Sequence, residues 1–404
     1  MVQAWPEFRW ANGYGRTQPR RFDVNCFGTG YAMEQTNVQQ YRRLCSTKRL
    51  DSPCIEGPMS SRAKIVHLIP RGVLDNSYHG SFKDVVSRVK LFEHSTGDYR
   101  QVVVDGDDPS ALANEWCDWA DSAFLIEYSY YPKITRALRT RFPKAFIAVR
   151  SHNIEPLQHL HNHSWWSSRG PAWVGYGMAR LFWGDVIVKR YADVIYSISD
   201  WERVRYWGRI PGKATQEWLP YHCPDHLIGA KPSSSVERTR IVCMPTSVKG
   251  RKSLDLVRRF ISFAELAKEQ DAPYEFLITG NLESWPPPRS EAVRYTGMVE
   301  DLAPFFCTVK AVCILSDLGY GFKTTIADAL ANGTAVIVHK RLKQRFFSML
   351  GETLISLEAD SPRSVREALR HLQEQRFLQS NPNDEFRQRS HDILRRDFSL
   401  GNVA

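Results

Sequence analysis

Two successive α/β units, each a parallel sheet covered by helices on both faces, are what this sequence predicts. Three observations carry that reading. From residue 63 onward, short β-rich apolar runs alternate with stretches of helical period. The alternation halts at the polar stretch Lys231–Arg238 and then restarts. Apolar residues make up 43% of the chain and charged residues 24%, which excludes a disordered, collagen-like or coiled-coil chain. Strands separated by helices imply right-handed crossovers, and therefore a parallel sheet in each unit.

The first unit opens with a strand over Ala63–Ile69. Ser81–Phe92 follows as a helix, because Phe82, Val85, Val86, Val89 and Phe92 share one face. Gln101–Val104, Ser122–Tyr128 and Ala145–Val149 read as further strands, and Asp193–Ile198 as a fifth after a helix around Arg180–Arg190. Trp218–Pro224 leads into the linker. In the second unit Ile241–Met244 is a strand, and Ser253 caps a helix carrying Leu254, Val257, Phe260, Ile261 and Ala264. Glu275–Thr279, Val293–Thr296, Ala311–Leu315 and Ala335–Val338 are strands. Thr324–Asn332 is a helix that Gly333 terminates, and Ser361–Gln373 is another with Val365, Leu369 and Leu372 inward. No short-period repeat appears.

The 404 residues fit two or three domains at roughly 150 residues each. The boundaries drawn are 1–58, 59–225, 226–380 and 381–404. Residues 1–58 are rich in Arg, Gln, Gly and Tyr and lack an apolar period, so poor order is expected. Met59 opens MSSRAKIVHLIPRG, a short polar lead into a buried strand. Two readings compete: a genuine extension serving a partner or membrane, or a start assigned too far upstream. The second is preferred.

Lysine and arginine exceed the acids by 54 to 44, a net charge of +10. That surplus suits nucleic acid, an anionic membrane face or a phosphorylated substrate, and a merely solvated surface equally well. The basic residues are dispersed and no aromatic-basic RNA motif appears, so nucleic acid is not expected as a partner. No uninterrupted apolar run approaches 18 residues and no secretory pattern opens the chain, so a cytoplasmic protein without a spanning helix is expected, with peripheral contact to a membrane face left open. None of the eight cysteines forms a C-x-x-C pair, and Cys243 and Cys313 lie in apolar runs. A reducing compartment without disulfides or structural zinc follows. The alternating His159, His161 and His163 lack a neighbouring carboxylate or cysteine cluster, so they are not read as metal ligands. Exposed aromatics within Trp173–Trp183 beside Arg180 and Lys189 would suit a membrane surface, but a buried helix face is the preferred reading.

The most informative segment is Leu318–Val338, LGYGFKTTIADALANGTAVIV. A strand ends, a loop with Gly319 and Gly321 follows, then Lys323, then a helix opened by Thr324. Glycines admit close backbone approach, and free amides at a helix start attract anions. Lys323 adds a cation, so a diphosphate fits there. Asp328, in the first turns of the helix, is placed to accept hydrogen bonds from sugar hydroxyls. A tight turn with a solvated lysine is the plainer alternative, and the position after a strand of the second unit argues against it. In the first unit, VRSHNIE (Val149–Glu155) follows the fourth strand directly. Ligands in doubly wound sheets bind beyond the carboxyl ends of strands, so His152 is expected to face a cleft between the units. Gly80, after the first strand, opens a helix whose amides are expected to face the same cleft.

The combination of Gly319, Gly321, Lys323, Asp328, Ala329, Ala331, Gly333 and Val336 resembles the donor motif of group-1 (GT4-like) glycosyltransferases of the GT-B fold, which read GxGxK…EAxAxGxPVV. The chain departs from it in three places: the usual Glu is Asp328, the usual Pro is Ala335, and the earlier acid of the family's pair falls at Tyr320. VRYTGMVEDLAP (Val293–Pro304) resembles the family's segment beside the nucleotide base, which implies Val299 and Asp301 there. PTSVKGR (Pro245–Arg251) resembles the loop that supplies basic residues to the donor diphosphate, which implies Lys249 first and Arg251 second. HN-x-E resembles the family's histidine near the donor sugar.

The resemblance covers about residues 62–398. It implies two Rossmann-like doubly wound domains facing across a cleft, with 59–225 for the acceptor, 226–380 for the nucleotide sugar and 381–404 packing back on the first. The activity implied is nucleotide-sugar-dependent hexosyl transfer to a hydroxyl of a glycan or lipid-linked acceptor, in polysaccharide, glycan or glycolipid synthesis. Retention of configuration and independence from metal and cofactor are inherited with it. Lys249, Arg251 and Lys323 would stabilise the departing diphosphate, Asp328 would hold the ribose, and His152 would position the sugar. Two alternatives stand beside this: an inactive GT-B subunit that binds a partner, and a nucleotide-sugar epimerase, for which Glu155 is the best acid–base candidate.

Overall fold

Two six-stranded sheets, all of whose neighbouring strands run parallel, frame the molecule. The computed structural model describes residues 64–74, 80–95, 98–119, 121–163, 170–229, 238–245, 251–280, 288–316, 318, 320–358, 360–374 and 382–400. The expectations for residues 1–58 lie outside these. The first sheet holds β1 (Lys64–Pro70), β2 (Tyr99–Val104), β3 (Ser122–Glu127), β4 (Ile147–Ser151), β5 (Val194–Ser197) and β6 (Thr215–Trp218) in the order β2-β1-β3-β4-β5-β6. The second holds β7 (Arg240–Cys243), β8 (Glu275–Thr279), β9 (Arg294–Gly297), β10 (Val309–Ile314), β11 (Ala335–His339) and β12 (Leu354–Leu357) in the order β12-β11-β10-β7-β8-β9. The order reverses between β1 and β3, and again between β7 and β10. At such a switch point the connections leave in opposite directions, and a crevice opens at the carboxyl ends of the strands.

Helices α1 (Arg71–Leu74), α2 (Gly80–Ser95), α3 (Pro132–Arg141), α4 (Glu155–Asn162), α5 (Gly170–Tyr191) and α6 (Asp200–Arg205) accompany the first sheet in the chain. Helices α7 (Arg251–Lys268), α8 (Leu302–Thr308), α9 (Thr324–Ala331), α10 (Lys340–Leu350) and α11 (Pro362–Glu374) accompany the second, and α12 (Pro382–Asp397) follows. Covered on both faces, the central strands read as continuous apolar runs: every residue of β3 is buried. The helices bury one stripe each, as Val365, Ala368, Leu369 and Leu372 of α11 show. Gly333, at φ 61°, ends α9 by donating its N–H to the Leu330 carbonyl at 3.0 Å.

Helix α12 crosses back to the first sheet. Ile393, Leu394 and the following Phe398 pack with Ile65, Leu125, Ala148 and Val194. Tyr196 Oη donates to Asp397 at 2.6 Å, while Phe386 at the other end of α12 packs among residues of the second sheet's helices and strands. The last helix therefore buries apolar surface against both halves. Helix α3 is not announced by the apolar pattern, because only Ile134, Thr135 and Leu138 are buried along it. The aromatic stretch on α5 is a correction: Tyr176 and Trp183 are 62% and 65% exposed rather than buried. Cys223, Cys243, Cys307 and Cys313 are free thiols.

Candidate functional site

Two helix N-termini meet where the carboxyl ends of the two sheets approach each other, and a third helix starts close to the end of β10. Helix α9 begins at Thr324, immediately after the glycine-containing loop that leaves β10 at the switch point. Helix α2 begins at Gly80, and a β-carbon on Gly80 would overlap the Thr324 side chain. Only glycine lets these two helix starts approach so closely. Helix α7 begins at Arg251, and Ser316, just past β10, donates its hydroxyl to Asp255 in the second turn of α7. Unsatisfied amides and aligned peptide dipoles make each start electropositive. Lys323 is the N-cap residue of α9, with its Nζ 3.4 Å from the Leu318 carbonyl.

The loop before α9 is clasped by the first half. Gly321 has φ 92°, and a β-carbon there would overlap the Asn153 side chain and the His152 carbonyl. The Tyr320 amide donates to Gln158 Oε1 at 3.2 Å. Its ring lies 5.0 Å from that of His161, stacks on Trp201 at 6.0 Å and carries the Arg345 guanidinium over it at 5.0 Å. The Asn153 amide, oriented to suit its neighbours, donates to the Tyr320 carbonyl at 2.7 Å. The Gly321 N–H donates to the buried carboxyl of Glu202, whose Oε2 meets no partner among the described residues. Burial pushes that carboxyl up to about 8, against the opposing pull of the Gly321 amide and Arg150.

Asp328 is 2% exposed and joins the halves. Lys83 of α2 donates to its Oδ2 at 2.7 Å, and Tyr221 donates to its Oδ1 at 2.7 Å. The expectation that Asp328 holds a ribose therefore meets a carboxylate whose two oxygens already have protein partners.

His152 is also placed differently from the expectation. Its ring does not open on a cleft: Nε2 lies 2.7 Å from Glu127 Oε2, Nδ1 lies 3.5 Å from Asp84, and the ring stacks on Tyr128 at 4.2 Å. It belongs to a buried charge cluster formed by α2, the middle of β1 and the carboxyl ends of β3 and β4. Arg88 donates to both Glu127 oxygens at 2.8 Å and to Asp84 at 2.7 Å, and Arg150 donates to Asp84 at 2.8 and 3.0 Å. His67 lies 2.7 Å from Glu127. Burial raises the Asp84 carboxyl, but Arg150 and Arg88 outweigh it and hold the group at about 2. Burial lowers the affinity of His152 for a proton, against the pull of Glu127. The cluster sets the His152 backbone, whose carbonyl faces Gly321.

Of the other sequence candidates, Val299 lies two residues past β9, half-buried at the edge of the second sheet. Asp301 caps α8 by accepting from the Ala303 amide at 3.1 Å. Lys249 and Gly319 lie outside the described residues, as does the side chain of Arg251. The residues that sequence reasoning missed are Lys83, Glu127 and Gln158, while Tyr221 stands out only as part of the connecting segment and Glu202 only as the last residue of the stretch Asp193–Glu202. Glu127 offered one signal, an acid closing an otherwise apolar strand. Lys83 offered none, because its partner is 245 residues away.

Residues 239–375 match the family model for glycosyl transferases group 1. The described β7–β12 sheet and helices α7–α11 all fall within that matched span. No curated protein matches the chain by sequence. Solved structures match its fold. Sucrose-phosphate synthase from Thermosynechococcus elongatus shares 11% identity over 84% of this chain and 97% of its own, with a TM-score of 0.58. A trehalose-6-phosphate protein from E. coli bound with UDP-2-fluoro glucose shares 10% identity over 84% of this chain and 96% of its own, with a TM-score of 0.53. A glycosyltransferase from Rickettsia africae shares 10% identity over 84% and 95%, also with a TM-score of 0.53. The matched span thus lies in the second of two Rossmann-like halves of a GT-B fold.

A separate cavity of about 460 Å³ lies at the switch point of the first sheet. Arg71, Asp105, Tyr130, Tyr131 and Arg180 line it beyond the ends of β1, β2 and β3. Arg71 and Asp105 pair at 2.5 Å across its rim.

Proposed function

We propose that the chain transfers a hexose from a nucleotide-sugar donor to a hydroxyl of a glycan or lipid-linked acceptor, with retention, in cytoplasmic polysaccharide, glycan or glycolipid synthesis. The observation that carries the reading is the meeting of the α2 and α9 N-termini beside Lys323, with α7 tied to the end of β10, at the switch point of the sheet that matches the group 1 model. A donor diphosphate placed there gains negative charge as the sugar–phosphate bond breaks. Fixed amides and a lysine that are already oriented stabilise that charge more in the transition state than in the ground state. Lys323 has this role, joined by Lys249, which precedes α7 in the chain, and Arg251, its first residue. Val299, beyond β9, lies on the base side. The aromatic and charged cavity of the first half is the room for the acceptor. Sugar rings bury a face on tyrosine and direct hydroxyls to groups such as Asp105 and Arg71.

A thermal-shift panel of nucleoside diphosphates and their sugars tests this. UDP and UDP-glucose head the panel, because the E. coli neighbour is bound with UDP-2-fluoro glucose. One nucleotide raising the melting temperature, with the rise abolished in Lys323→Ala, supports the donor site. Incubation with that donor and candidate acceptors then reads transfer. No rise with any nucleotide overturns the reading. Tyr320 at the position of an acid, and Asp328 with both oxygens engaged, favour one second reading: a GT-B subunit that binds nucleotide without turnover. A melting shift with neither transfer nor donor hydrolysis identifies it.

A further inference from the structure

Helix α5 carries an apolar stripe that nothing among the described residues covers. Tyr176 and Trp183, seven residues apart, lie on one face with the exposed Ala172 and Ala179, and Phe182 flanks them at 44% exposure. The opposite face, with Val174, Asp185 and Val188, is buried. Large aromatics grouped on one exposed face mark a surface that meets something.

Charge identifies what it meets. Helix α3 packs along one side of α5, with Pro132 against Gly184 and the Arg136 guanidinium 5.9 Å above the Tyr191 ring. The segment Trp207–Lys213 packs against the end of α5 on another side, its Trp207 and Ile210 carbonyls accepting from Lys189 Nζ. From these neighbours Arg136, Arg209 and Lys213 are exposed, as is Arg190 of α5 itself, whereas Arg180 lines the first-half cavity with Asp105 and Asp107. The only acid in α3, α5 and this segment is Asp185, which is 2% exposed and accepts from the Tyr206 hydroxyl at 2.5 Å. A second copy of the chain docked about a two-fold axis would set these cations against one another, so the face is unsuited to self-association.

We infer that this face of α5 docks on an anionic bilayer surface, with Tyr176, Phe182 and Trp183 at the level of the headgroups and the surrounding cations on the lipid phosphates. Aromatic side chains suit that depth, because their rings are apolar and the tyrosine hydroxyl and indole N–H remain hydrated. The inference stands without the transferase reading. It places the bilayer beside the first-half cavity, to which α5 contributes Arg180 and Leu181.

Sedimentation of the full chain with vesicles tests it. The chain is expected to bind vesicles of phosphatidylcholine with phosphatidylglycerol, to leave vesicles of phosphatidylcholine alone, and to release with rising salt. The double variant Trp183→Ser and Tyr176→Ser, at two exposed positions, is expected to lose most of the binding. Arg190→Gln and Lys213→Gln are each expected to weaken it about fivefold, the equivalent of about 1 kcal/mol per cation at an anionic surface. Failure to bind anionic vesicles overturns the inference. So does binding that is unchanged in the double serine variant, which would move the contact elsewhere on the chain. A dimer in sedimentation velocity that dissolves in that variant would make the face an interface between copies instead.

Discussion

Lys83 and Asp328 form an ion pair of 2.7 Å between a helix of the first half and a helix of the second. Lys83 is 13% and Asp328 2% exposed at the side chain, and Tyr221 Oη completes the carboxylate's shell. Removing one partner leaves the other buried without compensation, which costs about 3–5 kcal/mol. Asp328→Ala is expected to lower the stability of the chain by that order in urea titration, and Lys83→Met and Asp328→Leu together by much less. A milder substitution at the same residue separates the lock from a ribose contact. Asp328→Asn is expected to weaken binding of a ribonucleotide and its 2′-deoxy analogue in equal proportion, measured by calorimetry. Loss of discrimination between the two would instead support the ribose role.

How far this site could be read in the sequence is clear from its two sides. The loop with Gly321 and Lys323 and the helix that starts at Thr324 are local features, and their pattern places them correctly after β10. The strand order at β7 and β10 is not written in any one segment, yet it decides that this loop lies at a switch point. His152 shows the limit. A histidine after a strand looks the same whether it faces a cleft or a buried acid, and the acid that holds it, Glu127, ends a different strand. Lys83 and Gln158 were invisible for the same reason, and so was the Gly321 partner of Glu202, since each acts on a residue more than 100 positions away.

Gly80 and Thr324 give a second prediction. Any β-carbon at residue 80 overlaps the threonine side chain, so Gly80→Val is expected to force the two helix starts apart. Overpacking of this kind costs about 1–3 kcal/mol. The variant is expected to melt earlier and to bind nucleotide more weakly, and Thr324→Ala in the same chain is expected to recover part of both. A Gly80→Val chain with unchanged nucleotide affinity would show that the close approach does not shape the donor site.

Gly321 is constrained twice, by a φ of 92° and by the Asn153 side chain and His152 carbonyl beside it. Gly321→Ala must either strain the backbone or push the two loops apart. A sparsely populated backbone region costs about 1–3 kcal/mol for a residue with a side chain. The variant is expected to lose stability of that order in urea, and to lose more donor binding than Gly333→Ala. The latter glycine also has a positive φ, of 61°, but no atom crowds the position of its β-carbon.

The buried carboxyls predict the dependence of stability on pH, and they divide into two groups of opposite sign. Asp84 is held at about 2 and Glu127 well below its ordinary value, because Arg88, with Arg150 at Asp84, outweighs the cost of burial. Their contribution is complete above the unfolded-state range near 4 and is lost as pH falls toward 2. Glu155 and Asp185 are pushed up to about 7 and Glu202 to about 8, each first by burial. Folding then favours the protonated acid, so their contribution is complete below about pH 4 and is lost as pH rises through 7 to 8. The melting temperature is therefore expected to peak in mildly acidic solution and to decline on both sides. Glu202→Gln keeps an acceptor for the Gly321 amide and removes the ionisation, so it is expected to flatten the alkaline limb and leave the acid limb unchanged. Asp84→Asn is expected to do the reverse, with a lower maximum because Arg88 and Arg150 lose their charged partner. An alkaline limb of equal slope in the wild type and in Glu202→Gln would mean that Glu202 is already ionised in the folded chain.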